Sequence, residues 1–519
     1  MQAVSNDWKA IQADNILPLS DIQIKYAATD ADAMNYATVS SNSSASVVTN
    51  NDLQSITQAV TAHTPTQTAE LNKWNLGGSI QFSDNYVKGW ISGYISQNDQ
   101  TFATNPTVTI TFSQQRTIRS EGVVVRFSTA YNEYATNFTV TAYNGATQIA
   151  TQTVTGNTNV EAEVSIAIQN YDKIVITITK WCLPQSRARI ENVSIGSTKT
   201  FTKADIISYK QNMKSSLFAY ELLDHNIEFE FDNSDDEWNP DNPTGIYSSL
   251  AVRQEIQVKY GYLINGAYEY ISGGIYYLSE WNTPQNGITA RFKAQDLTIF
   301  MQSKFDGSAW SGNTAKLKAL AEEAFNQSNI PLLPNGTVRW VTTDLDAPAV
   351  ALPNNLSDYT CAEIVQMCCS ARACVMRYGR DGIMYCEKLD TTVNVDYEIN
   401  RFNSYQDAEY DMSQELRAID VNNGTHYYQV GLTGEVQYVN NPLIPDDMSL
   451  ADMNEFFQYT EDHLTNRRTL SGQFRVDPRL DVFDYITVEN KYATMNVVIT
   501  ALDITYNGGF SAVYEGRVE

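Results

Sequence analysis

Four histidines, His63, His225, His426 and His463, could serve as general acids or bases, and each stands alone in its stretch of sequence. A lone histidine is more often a packing or surface residue than a catalyst, and no cysteine or serine nucleophile lies beside one in sequence. Five of the six cysteines crowd into Cys361, Cys368, Cys369, Cys374 and Cys386. A zinc site needs two closely spaced ligand pairs with complementary cysteine or histidine, and this segment has no histidine, so the cluster reads as free thiols in a core. A glycoside hydrolase needs two opposed carboxylates, and among 60 acidic residues no pair is marked out by its surroundings. The sequence has no nucleophile elbow, phosphate-binding loop, dinucleotide glycine fingerprint or H-E-x-x-H helix. The expectation is a chain with no catalytic residues, no metal and no cofactor.

Two constellations invite a binding reading. The run from Phe231 to Pro243 is the densest group of carboxylates and suggests calcium, but Glu237 stands where a calcium-binding EF-hand loop requires glycine. The structural reading is a turn closed by Asn and Asp side chains, stiffened by Pro240 and Pro243 and anchored by Trp238. The second is aromatic: Tyr86, Trp90 and Tyr94, then Tyr131 and Tyr134 in STAYNEY. Sugars offer apolar C–H faces with hydroxyl rims, so exposed aromatics beside Asn, Glu or Arg make a shallow carbohydrate site. Singly these rings read as packing; grouped in a loop they favour contact with a ligand.

Composition narrows the class. The chain has 519 residues, more than one core normally fills, which predicts three or more domains. Lys and Arg number 35 against 60 Asp and Glu, a formal charge of −25 that repels a phosphate backbone and argues against specific nucleic-acid binding. The 31 Tyr and 19 Phe, with many Thr, Val and Ile, suit pleated sheets. The first residues lack a secretion-signal pattern and no stretch has membrane-spanning length, so a soluble product of a cytoplasm is expected.

Positioning elements follow from periodicity. Residues 1–73 contain a short extended piece at Asp21–Tyr26 and the tract SSNSSASVVTNN, read as a linker or draped arm. Strict alternation then marks five strands through Val108, Ile110 and Phe112; Val123, Val125 and Phe127; Phe138, Val140 and Ala142; Val164, Ile166 and Ile168; and Ile174, Ile176 and Ile178. With turns at Asn144-Gly145 and Gly156, this block from Trp74 to Gly196 reads as a β-sandwich. A second β unit follows through Phe229, Val258, Tyr276 and Phe292. Helical spacing at Leu317, Leu320, Ala321 and Ala324, a capping box at Thr360 and Glu363, and a hairpin across Gly379–Gly382 predict a small α+β domain. A helix near Ser449–Leu464 and strands from Tyr485 to Tyr514 predict a third β unit.

The runs FSTAYNEYATNFTVTAYNG and KIVITITKWCLPQSRARIENVSIG resemble discoidin-like, galactose-binding-like jelly-roll modules. That resemblance implies carbohydrate or surface binding through loops at one end, with Tyr131, Tyr134, Arg187 and Arg189 as contributors. The stretches FEFDNSDDEWNPDNPTG, RQEIQVKYGY, GGIYYLSEWNTPQNGITARFKAQDL and the terminal VDPRLDVFDYITVENKYATMNVVITALDITYNGGFSAVYEGR resemble baseplate hub or tail-tip proteins of phage tails. This second resemblance implies a homotrimer whose subunits each supply two tube-type antiparallel β-barrels. It also implies a place in the virion, assembled in the host bacterial cytoplasm, with tail-tube, distal tail or baseplate proteins and a central spike or tip protein as partners, and a channel through which genome DNA passes without specific binding.

Together these readings predict a mainly β, multidomain chain with five parts. They are an N-terminal arm and start of the first hub domain (1–73), a discoidin-like jelly-roll sandwich (74–198), a first hub barrel (199–305), a small α+β domain (306–392) and a second hub barrel (393–519). The alternatives are a stand-alone carbohydrate-binding surface protein or a tail-associated cell-wall hydrolase.

Overall fold

The computed structural model describes residues 2–12, 19–29, 37–43, 89–116, 120–129, 131–242, 250–283, 288–333, 337–389, 395–412, 415–465 and 468–518. The fold is mainly β, with several antiparallel sheets and few helices. The helices are α1 (Asn6–Gln12), α2 (Leu317–Gln327), α3 (Cys361–Ala371) and α4 (Leu450–Thr465). None of the described helices is long and apolar enough to cross a membrane.

Alternation dictates the largest sheet, which has fifteen strands among the described residues. In Ser20–Thr29, Ile22, Ile24 and Tyr26 are fully buried while Gln23 and Lys25 between them are partly exposed. In Asp224–Asp232, Ile227, Phe229 and Phe231 turn inward, and Glu228 and Glu230 turn outward to meet Arg291 at 3.3 Å each. Such exposed ion pairs contribute about 0–1 kcal/mol apiece, so the buried aromatic face holds the sheet and the charges keep it wettable. Strand Ile206–Lys214 pairs on one side with Asp224–Asp232 and on the other with Thr494–Tyr506, Tyr209 facing Tyr506 in register. The second and third expected β units are thereby joined edge to edge.

A second core lies upstream. Strands Ala37–Ser41, Thr107–Arg116, Tyr171–Trp181, Ala135–Asn144 and Thr147–Val154 form a five-stranded sheet in that order. Val108, Ile110, Phe138, Val140, Ile174 and Ile176 share one core with Val123, Val125, Val164 and Ile166 of the strands Ser120–Arg126 and Glu161–Ile168. On the wet face, Thr139–Thr153 and Thr141–Thr151 make cross-strand hydroxyl pairs at 3.1 and 3.0 Å.

The extended piece expected at Asp21–Tyr26 is part of the strand Ser20–Thr29, and the described N-terminal residues pack into the fold. Trp8 of α1 is fully buried against Tyr262 at a ring separation of 5.0 Å, and its indole N–H donates to Asp477 at 3.4 Å. Ser20–Thr29 is an interior strand between Asn192–Phe201 and Glu255–Ile264, and Ala37–Ser41 pairs with Thr107–Arg116. Short apolar strands flanked by polar sequence carry too weak a local signal to betray such long-range pairing. The Ser/Thr/Asn tract from 44 onward, and the start of the expected sandwich at 74–88 with Tyr86, lie outside the described residues.

The α+β region forms as its local signals dictate. Thr360 Oγ1 accepts from the Glu363 N–H at 3.2 Å while the Glu363 carboxylate accepts the Thr360 N–H at 2.7 Å, closing the capping box of α3. Val375–Tyr378 and Met384–Glu387 form the expected hairpin, with Gly382 at φ +78° in its turn. The left-handed φ there favours glycine, and a Cβ would in addition press on the Arg339 guanidinium at 2.7 Å and on Ile275 at 3.0 Å.

Candidate functional site

Two of the residues singled out in the upstream block, Tyr131 and Arg189, meet beside the loop that Ser128 and Glu133 close. Ser128 and Glu133 pair through both backbone N–H groups at 3.1 and 3.0 Å, and Asn132 takes the left-handed turn at φ +53°. Thr129 donates its N–H and its hydroxyl to the Glu191 carboxylate, each at 2.8 Å, which ties the loop to the strand Asn192–Phe201. Glu133, itself buried, accepts from the Trp181 indole at 3.2 Å and from Arg189 Nη1 at 3.0 Å. The Arg189 guanidinium in turn lies over the Tyr131 ring, 5.0 Å from its centre.

Of the four residues singled out, the structure brings Tyr131 and Arg189 together. Arg189 is 2 % exposed, so its charge is committed to Glu133 and it acts on a ligand at most by holding Tyr131 in place. Arg187 points elsewhere, donating Nη1 to the carbonyls of Ser92 and Gly93 at 2.9 and 2.7 Å and bracing the pairing of Arg187–Ile190 with Trp90–Ile95. Tyr134 packs against the core beside Cys182, whose N–H donates to the Tyr134 carbonyl at 3.0 Å. Trp90 is fully buried, a core residue rather than a contact residue, and Tyr94 is partly buried against the same core. Sequence reading missed Glu133, Trp181 and Glu191 as the residues that organise the loop; a carboxylate inside the aromatic run STAYNEY was the one local signal.

The other constellations resolve into structure. The acidic loop spends its side chains on its own turns: Asp232 accepts from Ser234 N–H at 3.0 Å, Asp235 from Glu237 N–H at 3.2 Å, and Glu237 pairs with Lys199 at 2.6 Å. Trp238 is buried among Tyr26, Phe201, Phe231 and Phe292. Cys361, Cys368, Cys369, Cys374 and Cys386 are buried and unbridged, and burial pushes the Cys374 thiol up to about 12. No group of three or more His, Cys, Asp or Glu able to hold a metal occurs among the described residues.

A serine does meet a histidine. Ser215 Oγ lies 3.1 Å from His225 Nε2, and Asp296 is near, but its carboxylate accepts the backbone N–H of His225 at 3.1 Å rather than a ring N–H. All three are at most 2 % exposed, so no substrate reaches them. Burial lowers His225 to about 4 and raises Asp296 to about 7 against its three hydrogen-bond donors.

A cleft of about 690 Å³ lies where the Val375–Glu387 hairpin meets residues 479–485, lined in part by Arg377, Arg380, Arg479, Glu387 and Asp481. Each of its arginines has a carboxylate partner: Arg377 has Glu387 at 2.8 Å, Arg479 has Asp477 at 2.5 Å and Arg380 has Asp481 at 3.6 Å. Beneath it a buried network links Tyr209 and Tyr260 hydroxyls at 2.7 Å and carries Gln211 to Tyr260 at 2.6 Å and to the Gly273 carbonyl at 2.8 Å. These groups fix the strands in register and join the sheet to the α+β region.

The molecule is thus a mainly β protein whose polar clusters are directed to holding elements together. No family model matches the sequence, and no curated protein matches it. Solved structures do, in 31 chains. The 43 kDa tail protein of prophage MuSo2 from Shewanella oneidensis is 12 % identical, covers 61 % of this chain and 94 % of its own, and gives a TM-score of 0.42. A tail protein from Neisseria meningitidis MC58 is 10 % identical over 62 % of this chain and 93 % of its own, with a TM-score of 0.41. Prophage tail protein gp18 from Listeria monocytogenes EGD-e is 11 % identical over 61 % of this chain and 91 % of its own, at 0.40.

Proposed function

We propose that this chain is a non-catalytic structural subunit of a phage or phage-like tail, the baseplate hub or tail-tip component that joins the tail tube to the tip or spike. The observation that carries the reading is the pairing of Ile206–Lys214 with Thr494–Tyr506. The hub-like stretches within 229–297 and at 476–517 are far apart in sequence, and this pairing makes them parts of one sheet. Two tube-type barrel units set side by side in each subunit are what a homotrimer needs to present six units to a sixfold tube. The acidic charge of −25 suits a wall past which DNA moves without adhering.

In this reading the block 74–198 is a jelly-roll module that faces outward and binds host glycan through the Tyr131 loop, whose ring is held by Arg189. Imaging tails that carry the labelled chain tests the assignment: a threefold ring at the tube end is expected, and a monodisperse monomer absent from particles refutes it. For the glycan arm, Tyr131→Ala is expected to abolish glycan capture at unchanged melting temperature; capture by neither protein removes that arm and leaves the structural role standing.

A further inference from the structure

The three-stranded sheet of Leu416–Val421, His426–Gln429 and Glu435–Val439 has two dissimilar faces. Its inner face sends Ile419, Val421 and Val439 into the helical core, and Tyr428 stacks on Phe457 of α4 with ring centres 4.9 Å apart and planes 13° apart. On the outer face Asp420 is the register partner of Tyr427 on one side and of Tyr438 on the other. Register partners project from the same side of a sheet, so a carboxylate stands between two phenol rings. Strands spaced about 4.8 Å apart set the two rings on the order of 10 Å from each other.

Folding does not require these rings. Tyr427 is 51 % and Tyr438 67 % exposed, on the face of a one-sided sheet where polar residues suffice. At about 10 Å they are too far apart to stack on each other, since stacked centroids lie roughly 4.5–7 Å apart. The carboxylate between them is held in place, because Asp420 Oδ1 accepts the Gly424 N–H at 2.5 Å across the turn that closes the first two strands. In the next row Ala418, register partner of Gln429 and Val436, is fully buried, so the accessible part of this face centres on Asp420 and the two rings.

We propose that Tyr427, Asp420 and Tyr438 form a docking site for a basic side chain, arginine or lysine, of a protein partner. The faces of aromatic rings attract a cation, and a carboxylate between them supplies the opposite charge and accepts its hydrogen bonds. A guanidinium or ammonium also brings an aliphatic stem that can lie along the ring edges and Val436. The central Asp420 selects a cation over a neutral sugar, and the chain's charge of −25 draws basic surfaces toward it. The site is defined by strand register and stands independently of the tail assignment.

The test uses the full chain and the peptide Gly-Arg-Gly-Arg-Gly-NH2, carrying fluorescein on its α-amine, and its lysine counterpart labelled at the same position, read by fluorescence anisotropy. Tyr427→Ser/Tyr438→Ser leaves the net charge unchanged, so a loss of at least about tenfold in affinity isolates the site from diffuse attraction. Asp420→Asn is expected to lose a similar factor, and both variants, altered on an exposed face, are expected to melt with the wild type. Equal affinity in wild type and double Ser variant, or no binding up to millimolar peptide, overturns the proposal. So does a neutral glycan that the wild type captures and the double variant loses while peptide affinity is unmoved.

Discussion

Arg380 Nε stands 3.6 Å from Asp481 Oδ2 at the seam between the Val375–Glu387 hairpin and the segment leading to strand Tyr485–Glu489. The same guanidinium donates to the carbonyls of Pro478 and Leu480, and the Arg380 carbonyl accepts from Ser272 Oγ at 2.9 Å. Arg380 Nη1 also donates to the Ser272 carbonyl at 3.4 Å, so one buried side chain ties the hairpin both to 478–481 and to Ser272. Arg380→Ala leaves two buried carbonyls and a carboxylate uncompensated, a loss of about 3–5 kcal/mol. Denaturant unfolding followed by near-UV circular dichroism measures it, and a loss under 1 kcal/mol contradicts the role.

The pair His225 and Asp296 makes opposite contributions to the pH dependence of stability. His225, lowered from 6.5 to about 4 by burial, contributes stability that is present above 6.5 and lost as pH falls toward 4. Asp296, raised from 3.8 to about 7 chiefly by burial, contributes stability that is present below 3.8 and lost as pH rises toward 7. Their slopes cancel through most of that window. Asp296→Asn mimics the protonated acid and removes the falling contribution, so stability of the variant should gain on the wild type from pH 4 to 7. Urea midpoints across that range decide it; parallel curves would mean that Asp296 does not titrate there.

Trp238 anchors the acidic loop from within the aromatic core, and its truncation removes contacts to four rings. Trp238→Ala should cost about 3–5 kcal/mol and open the 232–241 segment to limited proteolysis. Because its carboxylates already serve the loop's own turns, millimolar calcium should leave the melting temperature of the wild type unchanged. A calcium-dependent rise would reassign the loop.

Arg189 and Glu133 form a buried pair, with side chains 2 and 3 % exposed. Arg189→Met strands the carboxylate and should destabilise by about 3–5 kcal/mol, whereas adding Glu133→Gln should restore part of that loss. Additive losses in the double-mutant cycle would show that the two residues do not act together.

What sequence revealed, and what it hid, follows from the range of each signal. Alternation located Thr107–Arg116, Ala135–Asn144 and Tyr171–Trp181 because each strand buries one apolar face, and Thr360–Glu363 declared α3 because a capping box is local. Thr147–Val154 escaped because, with no fully buried residue, it lacks an apolar stripe. Glu409–Met412, wholly exposed, escaped for the same reason. The pairs that organise the candidate loop were invisible since their partners are distant: Trp181 reaches Glu133 across 48 positions and Arg189 across 56. Composition registers a charged residue but not the buried partner that neutralises it.

Thr29 faces Gly196 across the ladder between Ser20–Thr29 and Asn192–Phe201, although the chain travels far between them. A tight turn of a few residues joining them would leave the ladder from Gly196 to Phe201 in place. The strands Ser120–Arg126 and Glu161–Ile168, which continue the large sheet beyond Asn192–Phe201, belong to the sequence in between, so excising that sequence would cut the sheet back to Asn192–Phe201 as its edge.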